Sequence, residues 1–276
     1  IAYLENRFDE AIVLFDKALS IEEKFFEALV KRAMSSIKVG NYNDALVYLK
    51  KAALINAHSF TVNFELGKIY FLKNHIEEAL NAFNLAIEIT EDLRASLYKA
   101  LCLYKLDRIK DAVSIFEKIA EASAENFLRK TAILELYVHY YKFGNYDKVK
   151  KYLNIWKAIE PQNEEPYFEL GKVCYFLKDY RNAFLNLNEA NERAPQNNEI
   201  LFMLALSEIS INRFDRALEH SKNLINYNQN DFRGYRIAGD ANYALNNYKD
   251  ALDNYLKYLK LVDETKAEIL AIVGEH

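Results

Sequence analysis

The chain has 276 residues, of which 51% are hydrophobic and 14% aromatic, so a large apolar core can form. Its formal net charge is −4 and its pI about 5.9, which argues against a nucleic-acid-binding protein, because such proteins usually present a basic face. Only 7 Gly and 3 Pro occur, and this composition favours long helices over many tight turns. No apolar run reaches the ~18 residues of a membrane-spanning helix, so no membrane span is predicted.

A pattern of small residues recurs along the whole chain. One such residue in each predicted second helix aligns at intervals of 34, 34, 33, 37, 34, 34 and 34 residues. These residues are Ala11, Ala45, Ala79, Ala112, Val149, Ala183, Ala217 and Ala251. A constant period of this length is typical of repeat architectures, in which each unit stacks on its neighbours. The sequence therefore predicts one all-α repeat domain over residues 1–276.

The stretch from Tyr167 to Pro195 indicates what one repeat contains. Gly171 and Ala183 are small enough to let two antiparallel helices approach closely. Pro195 is expected to end the second helix because it has no N–H to donate. With Leu170 before Gly171, the stretch resembles a tetratricopeptide (TPR) repeat, a helix–turn–helix of about 34 residues. The resemblance implies an α-solenoid, a right-handed superhelix of antiparallel helix pairs.

The TPR pattern divides the chain into about seven full repeats with partial repeats at the ends. The predicted ranges are 1–25 (partial), 26–59, 60–92, 93–126, 130–163, 164–197, 198–231 and 232–265. The tail, 266–276, is expected to be a capping helix or the truncated first helix of a further repeat, since solenoid ends need covering. The chain starts at Ile1 inside a repeat, so we expect a fragment of a longer protein and predict no compartment.

Repeat 5 departs from the pattern. Three surplus residues, 127–129, precede it, and the bulky side chains Tyr137, Val149 and Trp156 stand at its close-contact positions. Helices with larger side chains at the contact pack further apart. One interpretation is a local irregularity of shape. The other is a bend near 127–163 that joins two half-solenoids with separate binding roles.

No catalytic or metal-binding constellation stands out in the sequence. Glu135 and His139 stand four residues apart, but the further ligands that a metal site needs are missing. Cys102 and Cys174 occupy nearly the same place in repeats two apart, which puts them about 20 Å from each other, beyond disulfide reach. They are expected to be buried, inert thiols. The sequence therefore predicts no enzyme activity, no cofactor and no metal.

The resemblance implies that the first helices of the repeats line a concave, partner-binding groove. Apolar and aromatic residues fall at groove positions in successive repeats, with lysines beside them. The predicted groove consists of Phe64, Lys68, Phe71, Leu97, Tyr104, Lys105, Leu134, Tyr141, Lys142, Phe168, Lys172, Tyr175 and Phe202. Exposed apolar stripes usually mark interaction sites, whereas the alternative is packing between repeats, and both interpretations stay open. Pairing at i,i+3 is expected to neutralise Lys68 and Lys172 in part, through Glu65 and Glu169.

Protein or peptide partners are expected, either an amphipathic helix or an apolar extended segment. Some TPR co-chaperones grip terminal carboxylates with Lys and Asn, but the corresponding positions here hold Phe64, Leu97, Leu134 and Phe168, so this carboxylate clamp is not expected.

The predicted function is that of a non-enzymatic scaffold or adaptor in a larger assembly. Family analogy alone suggests bacterial envelope or motility machinery. One alternative is a regulatory repeat domain of a larger enzyme. Another is a helical-repeat RNA binder, which would need a basic groove with stacking side chains. A local basic run, Lys148, Lys150, Lys151 and Lys157, is interpreted as a solvated helix face.

Overall fold

The computed structural model describes residues 2–122 and 125–274, with side chains up to Lys266. In these ranges it contains fifteen α-helices and no β-strand, which confirms the all-α prediction. None of the helices in these ranges is long and apolar enough to cross a membrane. The helices are α1 (Phe8–Ile21), α2 (Phe26–Lys38), α3 (Tyr42–Ile55), α4 (Phe60–Leu72), α5 (Ile76–Ile89), α6 (Leu93–Lys105), α7 (Ile109–Glu121), α8 (Asn126–Lys142), α9 (Tyr146–Ile159), α10 (Glu165–Phe176), α11 (Tyr180–Arg193), α12 (Asn198–Ser210), α13 (Phe214–Tyr227), α14 (Phe232–Ala244) and α15 (Tyr248–Gly274).

The helices pack in pairs that follow the predicted repeats. The chain divides into two compact units, Ile1–Leu136 and Tyr137–His276. In the first unit α2 packs on α3, α4 on α5 and α6 on α7; in the second, α10 packs on α11, α12 on α13 and α14 on α15. The division between the units falls within α8, the first helix of the irregular repeat 5.

A turn with one left-handed residue links the two helices of each repeat. These residues have φ between +59° and +79° and follow one another at the same intervals as the small residues. Gly40 shows the geometry: its N–H donates to the Ile37 carbonyl, and the Asn41 N–H donates to the Ser36 carbonyl at 2.8 Å. This pair of bonds is the Schellman arrangement, which satisfies the last carbonyls of a helix. The left-handed positions are Asn6, Gly40, Asn74, Asp107, Gly144, Lys178, Asn212 and Asn246.

In three of the helix pairs, close approach depends on a glycine in the first helix. A Cβ added to Gly171 would lie 2.6 Å from Cγ of Leu187, so no larger residue fits without a shift. Gly67 and Gly239 face an aromatic ring across their own pairs in the same way. The sequence analysis expected Gly171 to meet Ala183. The contact is instead with Leu187, one turn further along α11, while Ala183 is fully buried in the same interface.

Repeat 5 absorbs its surplus residues by lengthening a helix. Residues 127–129 do not precede the repeat but belong to α8, which has 17 residues where α6 has 13. Leu128 is buried, and Arg129 Nε donates to the Ala120 carbonyl at 3.1 Å. The bulky Trp156 is also fully buried, and its Nε1 donates to Glu160 Oε2 at 2.8 Å. Val149 and Trp156 are therefore accommodated as core, whereas Tyr137 is half-buried.

The C-terminal end of the chain differs from the sequence interpretation, whereas the N-terminal end has the same turn as the other repeats. Residue 1 lies outside the described residues, and residues 2–6 form turns in which the Arg7 N–H donates to the Ala2 carbonyl at 3.0 Å. The tail is not a separate helix, because α15 runs unbroken to Gly274. No Gly or Pro occurs between Tyr248 and Val273 to interrupt it. Side chains beyond Lys266 lie outside the described residues.

We expect Gly171→Leu to lower the free energy of unfolding by about 1–3 kcal/mol, because the new side chain overlaps Leu187. Repeats couple mainly to their neighbours, so amide exchange should speed up in repeats 5 to 7 and less in repeat 8. Ala244→Leu adds the same side chain at an exposed position and serves as the control. Equal acceleration in α10 and α15 would contradict the assigned contact.

The cysteines provide a prediction about reactivity. Cys102 and Cys174 are both free and buried. Burial raises the pKa of the Cys102 thiol to about 12 and also raises that of Cys174. Since the thiolate is the nucleophile, both should react with a thiol reagent only as fast as the fold opens. Labelling rates that rise with denaturant in step with loss of helical signal are expected. Fast labelling of the native protein near pH 8 would exclude this interpretation.

Candidate partner-binding surface

A cavity of about 370 Å³ opens between α4, α6 and the start of α8 in the first unit. Its volume lies at the lower end of the range for ligand pockets. The structure brings three predicted groove residues, Phe64, Lys68 and Leu97, to its wall. The complete lining is Phe64, Lys68, Arg94, Leu97, Tyr98, Leu101, Glu125, Phe127, Leu128 and Thr131.

Phe64 forms an aromatic floor for this cavity. Its ring is largely buried, stacks on Phe60 at 5.4 Å between centroids and meets Tyr98 edge-on at 6.0 Å. Lys68 Nζ and the Arg94 guanidinium lie 5.1 and 5.5 Å from the ring centroid. Cations over an aromatic face are attracted by its quadrupole. Phe64 is therefore a packed wall of the cavity and not a projecting anchor, and the buried Leu97 has the same role.

Tyr98 connects this cavity to a second one and was missed by the sequence analysis. Its ring stacks on Phe83 at 5.1 Å and meets Phe71 at 5.8 Å, while Lys105 Nζ lies 5.6 Å from the Phe71 ring. Sequence reasoning followed fixed groove positions and so passed over Tyr98, which comes directly after Leu97. The second cavity, of about 260 Å³, is lined by Ile37, Tyr42, Glu65, Lys68, Ile69, Phe71, Leu72 and Tyr98.

Ion pairs neutralise part of the positive charge at this surface. Lys68 Nζ lies 2.8 Å from Glu65 Oε2, and Lys172 Nζ lies 2.6 Å from Glu169 Oε1 in the second unit. Both pairs confirm the i,i+3 pairing predicted from the sequence. Lys105 is exposed. Apolar contact is thus the main attraction that the first-unit cavities offer.

Three predicted groove residues of the first unit, Tyr104, Lys105 and Leu134, do not line either cavity. Tyr104 is half-buried, and its ring lies 6.4 Å from that of Phe116 on α7, its own partner helix. Leu134 on α8 is also half-buried. The contact between Tyr104 and the buried Phe116 is packing between the two helices of repeat 4.

Three predicted aromatic residues of the second unit are half-buried, and two of them, Phe168 and Phe202, lie at junctions between repeats. Phe168 packs against the cluster of Tyr167, Ala190 and Ile200, and Phe202 packs against the cluster around Ala205. Lys172 Nζ lies over the Phe168 ring at 4.7 Å, and the Arg233 guanidinium lies over the Phe202 ring at 4.6 Å. The ring of Tyr175 contacts Tyr180 at 5.2 Å.

Tyr141 is the most exposed of the predicted aromatic residues, at 45%. Its ring contacts Tyr146 at 5.9 Å, which in turn contacts Phe176 at 5.3 Å. Beside it, Lys142 Nζ lies 5.9 Å from the Phe143 ring. Phe143 and Phe176 were missed by the sequence analysis, because it followed fixed groove positions and did not weigh the residues at the turn.

Glu135 and His139 have a spacing that could suit a metal ion, but no further ligands join them among the described residues. Within the described residues, no group of three or more His, Cys, Asp or Glu side chains is placed to hold a metal ion. The His139 ring packs against Phe143 at 4.8 Å, and burial lowers the pKa of the imidazole. Burial also raises the pKa of the Glu135 carboxyl, opposed by the nearby charge of Lys105.

Comparison with known proteins places these helices in a family. Sequence profiles of the tetratricopeptide repeat match residues 36–102, 94–124 and 202–264. The TPR repeat-containing protein MJ1428 of Methanocaldococcus jannaschii is 27% identical over 322 residues, covering 92% of this chain and 55% of that protein. The Hsp70-Hsp90 organizing protein 1 of Glycine max is 22% identical, covering 94% of this chain and 40% of that protein. This chain therefore spans about half the length of the first of these curated relatives and less than half of the second.

A solved structure titled MamA AMB-1 has the same fold, with a TM-score of 0.52, 23% identity and coverage of 62% of this chain and 92% of its own. The profiles, the 34-residue period, the paired helices and the repeated turn agree with one another. The chain belongs to the tetratricopeptide repeat family.

Proposed function

We propose that this chain is a non-enzymatic scaffold that binds a protein segment on the first-helix face of its first unit. TPR repeat proteins generally mediate protein–protein interactions. The observation that carries the proposal is the 370 Å³ cavity on this face, whose floor is aromatic and whose cations Lys68 and Arg94 already have carboxylate partners. A largely neutral, apolar cavity favours burial of an apolar side chain over capture of a charged group.

The partner that fits is an apolar extended segment or an amphipathic helix with two bulky side chains. One side chain would enter the larger cavity and the other the 260 Å³ cavity on the far side of Tyr98. A carboxylate clamp is not proposed, although chaperone-organizing proteins are among the relatives. The four positions that would hold it are apolar here, and Phe64 and Leu97 are buried in the packing.

The scaffold would act within a larger assembly. Envelope or motility machinery of a bacterium is a hypothesis that rests on analogy between TPR proteins. Because the chain spans about half of its relatives, a regulatory role beside a catalytic domain is a second candidate. An RNA-binding role would require a steep loss of affinity with salt, which a titration measures directly.

Phe127→Ala tests the cavity, because this ring lines it and yet is 74% exposed. Peptides are selected from a displayed library against the full chain, and the strongest is synthesised for affinity measurements. We expect the variant to bind about tenfold more weakly, since aromatic contacts at a binding site often contribute 1.4 kcal/mol or more. Leu54→Ala, also highly exposed in the first unit, is the control. Equal affinity for both variants would refute the assignment.

Tyr104→Ala tests whether the Tyr104 ring belongs to the binding surface or to the packed core. Because its ring packs on Phe116, we expect the free energy of unfolding to fall by about 1–3 kcal/mol, less than for a fully buried aromatic residue. The affinity of the selected peptide should stay within about twofold, a change below 0.5 kcal/mol. Thermal unfolding and peptide binding are measured on the same protein. If the variant keeps its stability but loses affinity for the peptide, Tyr104 is part of the binding surface.

A further inference from the structure

A glutamate occurs at the same position in repeats 3 and 6, and the two glutamates have different surroundings. Repeats 2 and 3 match repeats 5 and 6 at an offset of 104 residues, as the turn residues Gly40 and Gly144 show. This offset gives Glu65 the position of Glu169. Each carboxylate forms an ion pair with the lysine three residues later. The two sites can therefore be compared directly within one molecule.

In repeat 6 a phenol from the preceding repeat completes the surroundings of the glutamate. The Tyr137 hydroxyl donates to Glu169 Oε2 at 2.6 Å, and Lys172 Nζ lies 2.6 Å from the other oxygen, Oε1. The Tyr137 ring also lies 5.8 Å from the ring of Tyr141. Burial, and then the hydrogen bond to Glu169, raise the pKa of the Tyr137 phenol, so the hydroxyl keeps its proton and stays a donor. Both oxygens of Glu169 thus have partners.

In repeat 3 the chain supplies no such phenol. The position of Tyr137 is held in repeat 2 by Ala33, whose side chain ends at Cβ. Glu65 is only 6% exposed, and its Oε2 forms no hydrogen bond with any described residue. Lys68 Nζ lies 2.8 Å from this oxygen as an ion pair, but outside hydrogen-bond geometry. A buried acceptor without a donor costs free energy, which a suitable donor recovers.

The second cavity of the first unit, of about 260 Å³, lies beside this oxygen. Its lining includes Ile37 and Glu65, the equivalents of the two residues that Tyr137 contacts in the second unit. Tyr42 and Leu72 also line it and are 40% and 64% exposed, so an incoming side chain can reach it. An apolar cavity of about 150 Å³ is enough to hold benzene. The second cavity is therefore large enough for the ring of a tyrosine.

We propose that this cavity binds a tyrosine side chain of the partner segment, whose hydroxyl donates a hydrogen bond to Glu65. The inference rests on the proposed function and names the side chain that the second cavity accepts. The ring packs against Ile37 and Tyr98, and the hydroxyl meets Glu65 as the Tyr137 hydroxyl meets Glu169. Phenylalanine fills the same space but leaves the carboxylate oxygen without a donor. A site with a buried polar group discriminates strongly against an analogue that lacks the matching group.

A neutral donor suits this cavity better than a charged one. Lys68 already balances the charge of Glu65. Lys105 Nζ lies 5.6 Å from the ring of Phe71, which lines the same cavity. A lysine or arginine of the partner would be repelled by these two lysines, and an acidic side chain would be repelled by Glu65. A phenol brings the donor without a further charge.

Two small probes test the hydrogen bond: p-cresol, which represents the tyrosine side chain, and toluene, which represents phenylalanine. Each is titrated into the methyl-labelled full chain, and the NMR signals of Ile69 and Leu72, which line the cavity, report binding. Glu65→Met keeps a side chain of similar length but removes the acceptor. We expect the ratio of p-cresol affinity to toluene affinity to fall about tenfold in this variant, as loss of a hydrogen bond to a charged group predicts.

Two further variants control this measurement. Glu65→Gln keeps the shape and an acceptor but removes the charge, so the ratio should fall less, by about threefold, and this result does not depend on the stability of Glu65→Met. Glu169→Met is the matched control and should leave the ratio unchanged, because the Tyr137 phenol already occupies the equivalent position. The same ratio in the parent and all three variants would overturn the inference.

The peptide selected to test the proposed function separates that function from this inference. It should contain a tyrosine, and phenylalanine in its place should weaken binding to the parent about tenfold but leave binding to Glu65→Met unchanged. A peptide whose affinity depends on Phe127, but neither on a tyrosine nor on Glu65, would overturn this inference and leave the proposed function intact. If Phe127→Ala matches its control while p-cresol still requires Glu65, the proposed function fails and the phenol site stands.

Discussion

A single left-handed residue between the two helices of each repeat is the constraint on which the rest depends. It places the two terminal hydrogen bonds that end the first helix, and the next helix begins two residues later. In repeats 2, 5 and 6 the residue that follows it, Asn41, Asn145 or Asp179, also caps the second helix with its side chain. The turn recurs once in each repeat, which is why the turn and the repeat share one period.

Packing across each pair then follows from side-chain volume at two facing positions. Where the first helix has glycine, the second supplies a large side chain, as Gly171 and Leu187 show, and the pair stays close. Repeat 5 departs from this pattern, because the bulky Tyr137 stands on its first helix where repeat 6 has Gly171. Its second helix also carries large, fully buried side chains, Tyr152 and Trp156, and its first helix is lengthened at the N terminus.

Much of this fold was predictable from the sequence, because period and small-residue spacing are set by the geometry of a helix pair. The ion pair of Lys68 with Glu65 was predictable for the same reason, since i,i+3 neighbours share a helix face. The degree to which each side chain is buried could not be predicted from the sequence. Phe168 and Phe202 share the predicted groove face but pack at junctions between repeats, and Tyr104 packs on the second helix of its own repeat, because the same helix face also makes packing contacts. Tyr98 was missed because its ring reaches across to the preceding repeat.

The turn residue Lys178 shows how a repeat protein can retain an unfavourable residue. In a solenoid the stability of each repeat is roughly its own contribution plus its contacts with neighbours, so a local cost stays local. Repeat 6 is well supported around this turn. The Gly171–Leu187 contact lies within the repeat, the cluster of Tyr167, Ala190 and Ile200 joins it to repeat 7, and the Asp179 side chain caps the helix that follows. The left-handed conformation of Lys178 costs about 1 kcal/mol, because Cβ crowds the following carbonyl oxygen. This cost is small against these contacts. The regular stacking of repeats makes the fold predictable, and it also allows a single turn to contain an unfavourable residue.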